Sequence, residues 1–405
     1  MKQPIPILVF IYNSYRDPLF QNLLLRYIKT LSENGCYRFD LITFEQPEYA
    51  LTAEETQQEK KELEDYNIYW HPRKFHTGRF LLIKKAIDVI TTFFLVFSIK
   101  LKYKTQYIFA FANVAAAISV IFTRLLNLKL VIYSYEPHSD FMVELGLWQK
   151  SSWNYLILNS LEKMAARHAS DIMTGTIHMV EKLKAEGIKA KVYRAPTAVD
   201  SGTFYFKPEA RYELRKSLDV HDKTVYIYPG KLGGLYYERE IINLFAALYA
   251  HDDHAFFLIA TNYDHDKIVT WMKEENIPQS AYHLRPFIPS SQMPDYLSAA
   301  DMGIVAIPPT PSQKFRSPTK VAEYLLCGLP YIVCKGISED DTIAKEHKVG
   351  IVLNQYSKNN AVSDMTRISA LLLVDKSVMQ QRCINIGLTY RSYQNIINVL
   401  YNIFV

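Results

Sequence analysis

Two hydrophobic rhythms alternate along the chain. Short apolar runs such as Ile7-Leu8-Val9-Phe10-Ile11 are followed by longer stretches whose apolar residues recur three and four apart. The first pattern predicts buried strands and the second predicts helices. In the first half it gives strands at 7–11, 39–44, 68–70, 106–111, 129–135, 171–174 and 191–194. Between them lie helices at 18–34, 80–99, 114–126, 153–169 and 177–186, and a highly charged helix or loop at 52–65. Residues 195–207 break the rhythm with Pro196, Gly202 and polar side chains, which marks a linker. The alternation then restarts, with strands at 224–228, 255–260, 282–287, 302–307, 331–334 and 350–353. Helices are predicted at 238–250, 264–275, 292–299, 359–374 and 376–405, and a short one opens near Ser317 and closes before Gly328. Strands alternating with helices mean βαβ units and parallel sheets covered on both faces. The expected fold is therefore α/β, with two Rossmann-like doubly wound domains at 1–200 and 201–389. The C-terminal helix, from about 390 to 405, is placed to pack back on the first domain. A ligand is expected in an interdomain cleft at the carboxyl ends of the strands.

Composition adds bounds. The chain has 405 residues, more than one ordinary core holds, and its 49% hydrophobic and 21% charged content suits two buried cores. A net charge of +5 is too weak to argue for nucleic acid. Cys36, Cys327, Cys334 and Cys383 show neither metal-ligand spacing nor a disulfide framework, and they fit a reducing cytoplasm. The apolar run after Pro4 reads as a first strand rather than a signal peptide. The longest apolar stretch, 86–99, contains Asp88, ends at Lys100 and is too short to span a bilayer.

Candidate chemistry concentrates in the second half. Ser317 is a good N-cap and Pro318 suits a first helical position, while Gly328 suits a left-handed C-terminal residue. Lys314, Arg316 and Lys320 crowd this helix start, with no carboxylate before Glu323. Cations oppose the macrodipole there, so either an anion such as phosphate binds, or the loop is a solvated basic one with Lys320 paired to Glu323. The turn Gly230-Lys231-Leu232-Gly233-Gly234 after the strand at 224–228 brings glycines and one cation together, as a phosphate cradle does. It is neither a dinucleotide fingerprint nor a Walker loop. Asp264-His265-Asp266 has a metal-like spacing, but at a helix start it reads more readily as capping. Ser290 and Gln292 also read as capping residues. In the first half, Glu136 and His138, and below them Asp140, follow the strand at 129–135 and could orient or deprotonate an acceptor hydroxyl. The loop Asn13-Ser14-Tyr15-Arg16 is a second acceptor-side candidate. Residues 73–104 gather Arg73, Lys74, His76, Arg79, Lys84, Lys85, Lys100, Lys102 and Lys104 around Phe80, Phe93, Phe94 and Phe97. That composition fits either a core helix with solvated basic ends or peripheral contact with an anionic membrane surface.

Several of these blocks together carry a family resemblance. Ser317-Pro318-x-Lys320-x-x-Glu323-Tyr324 with Gly328-Leu329-Pro330, the Gly230–Gly234 turn, Ala300-Asp301-Met302-Gly303 and Pro196-Thr197-Ala198-Val199-Asp200 resemble the family 4 glycosyltransferases (glycosyl transferases group 1). The similarity is strongest over 224–334. The resemblance implies the GT-B fold and transfer of a sugar from a nucleotide-diphosphate sugar to a glycan or lipid-linked acceptor, in the manner of bacterial polysaccharide biosynthesis. It implies that Gly230, Lys231, Gly233, Gly234, Ser317 and Lys320 hold the diphosphate, that Glu323 takes the ribose hydroxyls, and that the backbone near Phe287 and Ile288 meets the base. It further implies a retaining, metal-independent reaction with no cofactor beyond the donor. The cysteines point to a cytoplasmic location, with the inner face of a membrane open as one reading of the basic stretch. Phe315 stands where the family often has a second glutamate, Lys231 replaces a common arginine, and Ala198 replaces the junction glycine. A GT-B sugar-nucleotide epimerase and a non-catalytic nucleotide-sugar-binding or membrane scaffold protein stay open as alternatives.

Overall fold

The computed structural model describes residues 3–78 and 81–404, and its side-chain description also omits 81–82 and 358–363. Arg79 and Phe80 of the basic stretch lie outside the described residues. The chain forms two compact units, Met1–Pro196 with Gln394–Val405, and Thr197–Tyr393.

Unit one runs β1 (Ile5–Ile11), a π turn into α1 (Leu25–Ser32), β2 (Tyr37–Glu45), α2 (Ala53–Glu64), β3 (Ile68–Lys74), α3 (Leu81–Tyr103), β4 (Tyr107–Phe111) and α4 (Asn113–Leu126). It continues with β5 (Lys129–Ser134), α5 (His138–Glu144), α6 (Trp153–His168), β6 (Asp171–Thr174), α7 (Ile177–Ala185) and β7 (Lys191–Arg194). The seven strands lie in the order β3-β2-β1-β4-β5-β6-β7, all parallel. Helices on both faces bury the central strands, so Ile7, Leu8, Val9 and Phe10 have no exposed surface. A strand covered on both faces reads as a continuous apolar run, which is why the pattern was legible.

Unit two runs α8 (Pro208–Ser217), β8 (Thr224–Pro229), α9 (Glu240–His251), β9 (Ala255–Ala260), α10 (His265–Glu274), β10 (Tyr282–Arg285), α11 (Met293–Ala299) and β11 (Met302–Ile304). Then follow α12 (Thr319–Leu326), β12 (Tyr331–Cys334), α13 (Asp340–Glu346), β13 (Gly350–Leu353), α14 (Lys358–Leu372) and α15 (Lys376–Tyr390). Its parallel sheet has the order β10-β9-β8-β11-β12-β13. A last helix, α16 (Tyr393–Ile403), carries the chain back to unit one. There the Tyr37 hydroxyl donates to the Phe404 carbonyl at 3.0 Å, and the Phe404 ring lies 5.4 Å from Phe109.

The helix expected over 376–405 is two helices broken at Arg391-Ser392, because the Arg391 side chain is drawn into the core of unit two, as shown below. The strand expected over 282–287 ends at Arg285, opposite the last residue of β9, and that expected over 302–307 ends at Ile304, where the Ile304 and Val305 carbonyls accept the Tyr324 and Tyr356 hydroxyls instead of continuing the ladder. The short helices α5, α8 and α13 were not predicted. The cysteines are unpaired, with Cys36 exposed and Cys327, Cys334 and Cys383 buried.

Candidate functional site

The sheet of unit two reverses its winding between β8 and β11, with β9 and β10 on one side and β12 and β13 on the other. Loops leaving the two strands diverge at such a point and open a crevice at the carboxyl ends. The loops that leave here are the Gly230–Gly234 turn after β8 and the segment 305–318 leading from β11 into α12.

The turn is held by backbone and by one tyrosine. Gly230 donates its N–H to the Ala260 carbonyl at 2.8 Å, and the Tyr228 hydroxyl donates to the Lys231 carbonyl. Tyr237 donates to the Ala306 carbonyl at 2.9 Å, so the turn is tied to the segment after β11. Gly233 and Gly234 are left-handed, at φ 76° and 66°. Lys231 is exposed.

The start of α12 meets this turn. A Cβ placed on Gly230 would lie 2.8 Å from Cε of Lys320, 3.1 Å from its Nζ and 3.0 Å from the Tyr228 hydroxyl. Glycine at 230 is what lets the Lys320 side chain lie against the turn. The ammonium sits 5.5 Å from the Tyr236 ring centroid. No side chain caps α12 and no acidic residue occupies its first turn, so its positive end faces the same place as Lys320. Glu323, one turn on, is half-buried. The helix closes as expected from the sequence: Gly328 has φ 72°, its N–H donates to Leu325 at 3.0 Å, and Leu329 donates to Tyr324 at 2.9 Å.

Ser317 is not the N-cap. Pro318 takes that position and Thr319 is the first helical residue. The Ser317 hydroxyl is used elsewhere. It accepts the Thr197 N–H at 3.0 Å and a guanidinium N–H of Arg391. Arg391 is fully buried, donates also to the Asp340 carboxylate, which is fully buried too, and reaches the Thr197 carbonyl at 3.3 Å. Burial opposes the charge on Arg391, but Asp340 and Glu339 hold its pKa above the ordinary value. Sequence reasoning missed Arg391, since it stands inside what reads as one long helix.

Phe287 and Ile288 follow the end of β10. Phe287 is 65% exposed and Ile288 is buried. Phe315 is half-buried, with the Lys314 ammonium 5.0 Å from its ring centroid.

Unit one has its own reversal, between β1 and β4. The residue leaving β4 is Ala112, at φ 71° and ψ 159°, a conformation almost reserved for glycine. Asn113 donates to the Glu136 carbonyl and so links this point to the loop after β5. His138 is the first residue of α5, and its N–H donates to Glu162 of α6 at 2.9 Å. The Ser139 hydroxyl donates to the same carboxylate. Burial pushes the Glu162 carboxyl above its ordinary value although these donors favour the ionised form. A cavity of 70 Å³ beneath the loop is lined by Asn113, Ser134, Asp140, Asn159 and Glu162, and not by Glu136 or His138. The Tyr155 hydroxyl donates to Asp140 at 3.0 Å. Neither Asn113 nor Glu162 carries a local signal, since both sit on ordinary helical faces.

The remaining candidates make local contacts. Asp264 caps α10, accepting from Asp266 and Lys267. Gln292 is the N-cap of α11 without a side-chain bond, so that expected cap is not made. In the loop after β1, Ser14 is fully buried, its hydroxyl bonded to the Phe44 carbonyl and the Gln46 N–H. Tyr15 there donates to Glu59 at 2.8 Å.

No protein-family model matches the chain, and no curated protein matches it by sequence. Solved structures match it over nearly its whole length. HepE of Anabaena, in complex with UDP, aligns with a TM-score of 0.70 at 13% identity, covering 98% of this chain and 99% of that one. A glycosyltransferase from Rickettsia africae gives 0.70 at 13%, over 100% and 98%. Sucrose-phosphate synthase from Thermosynechococcus elongatus gives 0.68 at 14%, over 100% and 98%. At these identities the shared property is the fold, and with its two parallel-sheet α/β units the chain has the GT-B fold of these glycosyltransferases.

Proposed function

We propose that the chain is a glycosyltransferase that moves a sugar from a nucleotide-diphosphate sugar to a glycan or lipid-linked acceptor. The observation that carries this reading is the Lys320 side chain lying against Gly230 at the winding reversal of unit two, beside an uncapped helix start with no acidic residue. Cation, glycine backbone and helix N-terminus together suit a diphosphate. In the reaction the bond from the sugar anomeric carbon to the diphosphate oxygen breaks, and negative charge grows on the leaving diphosphate. Lys320 and the first-turn N–H groups are in place before that charge appears, which is the condition for electrostatic stabilisation, and Lys231 adds a second cation from the turn. Glu323 is assigned to the ribose hydroxyls and the backbone at Phe287 and Ile288 to the base. Glu136 and His138 are assigned to the acceptor side. Retention of configuration, independence of a metal and a place in surface polysaccharide synthesis belong to the same proposal. The donor class is supported by HepE, whose structures were obtained with UDP, with UDP and glucose, and with UDP-glucose.

The test is a thermal-shift panel of UDP, GDP, ADP and CMP with their sugars, run on wild type and Lys320→Ala. A hundredfold excess of the right nucleotide over Kd stabilises by about 2.7 kcal/mol, and Lys320→Ala abolishes the shift. Turnover of that donor with a lipid-linked acceptor follows, and Lys320→Ala lowers kcat/KM by roughly a hundredfold or more. If no nucleotide shifts the wild type, the reading fails.

A further inference from the structure

Helix α3 is built the wrong way round for a surface helix. Its inner side carries buried Asp88 and Thr92 beside Val96 and Ile99. Its outer side carries Ile83, Ile87, Ile90, Phe94, Phe97 and Leu101, each between 41 and 63% exposed. These six recur at intervals of four and three, which lines them up as one stripe about 27 Å long. The residues flanking the stripe on the outer side include Ala86, Thr91 and Ser98, also exposed. The only acidic residue of α3 is Asp88, and it is turned inward, with its carboxylate 2.6 Å from Nδ1 of His76. A helix that borders water normally shows it charges, and a continuous apolar stripe of this size marks a contact surface.

The cations say what covers it. The basic stretch read from the sequence does not act as a uniform positive patch. Lys84 donates to the Thr77 carbonyl at 3.1 Å, and Lys85 lies 3.4 Å from the Phe75 ring centroid. Lys100 donates to the Leu126 carbonyl. Lys102 and Lys104 are exposed at the end of the stripe. Beside Leu101 a groove of 530 Å³ is lined by Lys100, Lys104, Gln106, Asn127 and Lys129. The stripe is therefore flanked by lysine at both ends and bears no outward carboxylate. A second copy seated on it would set Lys102 against Lys102 in parallel, or against Lys84 in antiparallel, and gain no opposite charge either way. Anionic headgroups complement the exposed lysines at the Lys102 end. Among the described residues no helix is long and apolar enough to cross a membrane, so α3 would lie in the surface plane.

We infer that α3 is a docking face for an anionic lipid surface. Its six-residue stripe seats at the headgroup–acyl boundary, and Lys102, Lys104 and Lys129 meet headgroup phosphates. This holds whatever reaction the chain performs. The test is flotation of the full chain with phosphatidylcholine vesicles, with and without phosphatidylglycerol. Wild type floats with the anionic vesicles and much less with the neutral ones. Ile90→Ser with Phe94→Ser lowers partitioning by roughly a hundredfold. Lys102→Glu with Lys104→Glu lowers it by about tenfold or more and flattens the salt dependence. Both double variants keep the wild-type melting temperature, because the changed side chains are exposed. The inference is overturned if wild type stays unbound, if it floats equally with neutral vesicles, or if the stripe variant floats like wild type. It is also overturned if the stripe instead holds a dimer that Ile90→Ser with Phe94→Ser dissolves.

Discussion

The two units share an architecture and a point of reversed winding, yet they furnish that point with opposite chemistry. In unit two the loops after β8 and β11 bring three glycines, Lys231, Lys320 and an uncapped helix end. In unit one the loop after β1 has no glycine, and the turn after β4 forces Ala112 into a glycine-like conformation. Two buried carboxyls, one from each unit, are also held differently. Asp301 of unit two is bonded to Arg211 at 2.7 Å, Arg215 at 3.0 Å and Lys376 at 2.8 Å. Burial alone would raise its pKa, but these cations bring it down to about 2. Glu162 of unit one has hydroxyl and N–H donors without a salt bridge, and burial wins. The same fold thus furnishes one reversal with glycines and cations and the other with a strained alanine beside a buried carboxyl.

The strongest test of this contrast removes a charge partner. Arg391→Met leaves Asp340 buried and uncompensated in unit two, which costs about 3–5 kcal/mol, and pairing it with Asp340→Leu recovers most of the loss in denaturant melts. A loss below about 1 kcal/mol would mean that unit two does not depend on paired buried charge.

A smaller test is the pH dependence, where the signs oppose. The folded-state pKa of Asp301 is depressed, so its contribution, about 2 kcal/mol, is present above pH 3.8 and lost as pH falls through about 2. That of Glu162 is raised, so the protonated form favours folding. Its contribution is complete below pH 4.5 and is lost as pH rises through the raised value. Melting temperature against pH for Asp301→Asn and Glu162→Gln, each compared with wild type, gives difference curves of opposite slope. Slopes of the same sign would erase the distinction.

The smallest effect is at Ala112. Ala112→Gly relieves backbone strain and raises stability by up to about 1 kcal/mol, a few degrees in melting temperature, without changing the nucleotide shift. A loss of stability would show that the turn after β4 is not strained.

How far the sequence could be read follows from what each feature depends on. Each of the thirteen strands was legible: the central ones because a strand buried on both faces needs an unbroken apolar run, and edge strands such as β7 because they continue the alternation with helices. The Lys320 helix start and the glycine turn were legible because residue types there oppose the local rule, and a broken rule signals a ligand or a cost. What failed was wherever a distant partner outbid a neighbour. Ser317 has the sequence of a cap, but Arg391, 74 residues on, takes its hydroxyl. Arg391 and Ser392 look helical, but the guanidinium turns inward and Ser392 bridges Val199 instead. The polar helix α8 shows no apolar period because, apart from Arg215, its residues are at most half-buried. The α3 stripe was visible as composition, but which side faced outward was not.

The chain passes between the units twice, after Pro196 and after Tyr393. Thr197, the first residue past one crossing, and Arg391, two residues before the other, both end on the Ser317 hydroxyl. Ser317 in turn stands two residues before the first turn of α12. The two covalent tethers that leave unit two therefore share one anchorage inside it, two residues ahead of the helix that carries Lys320.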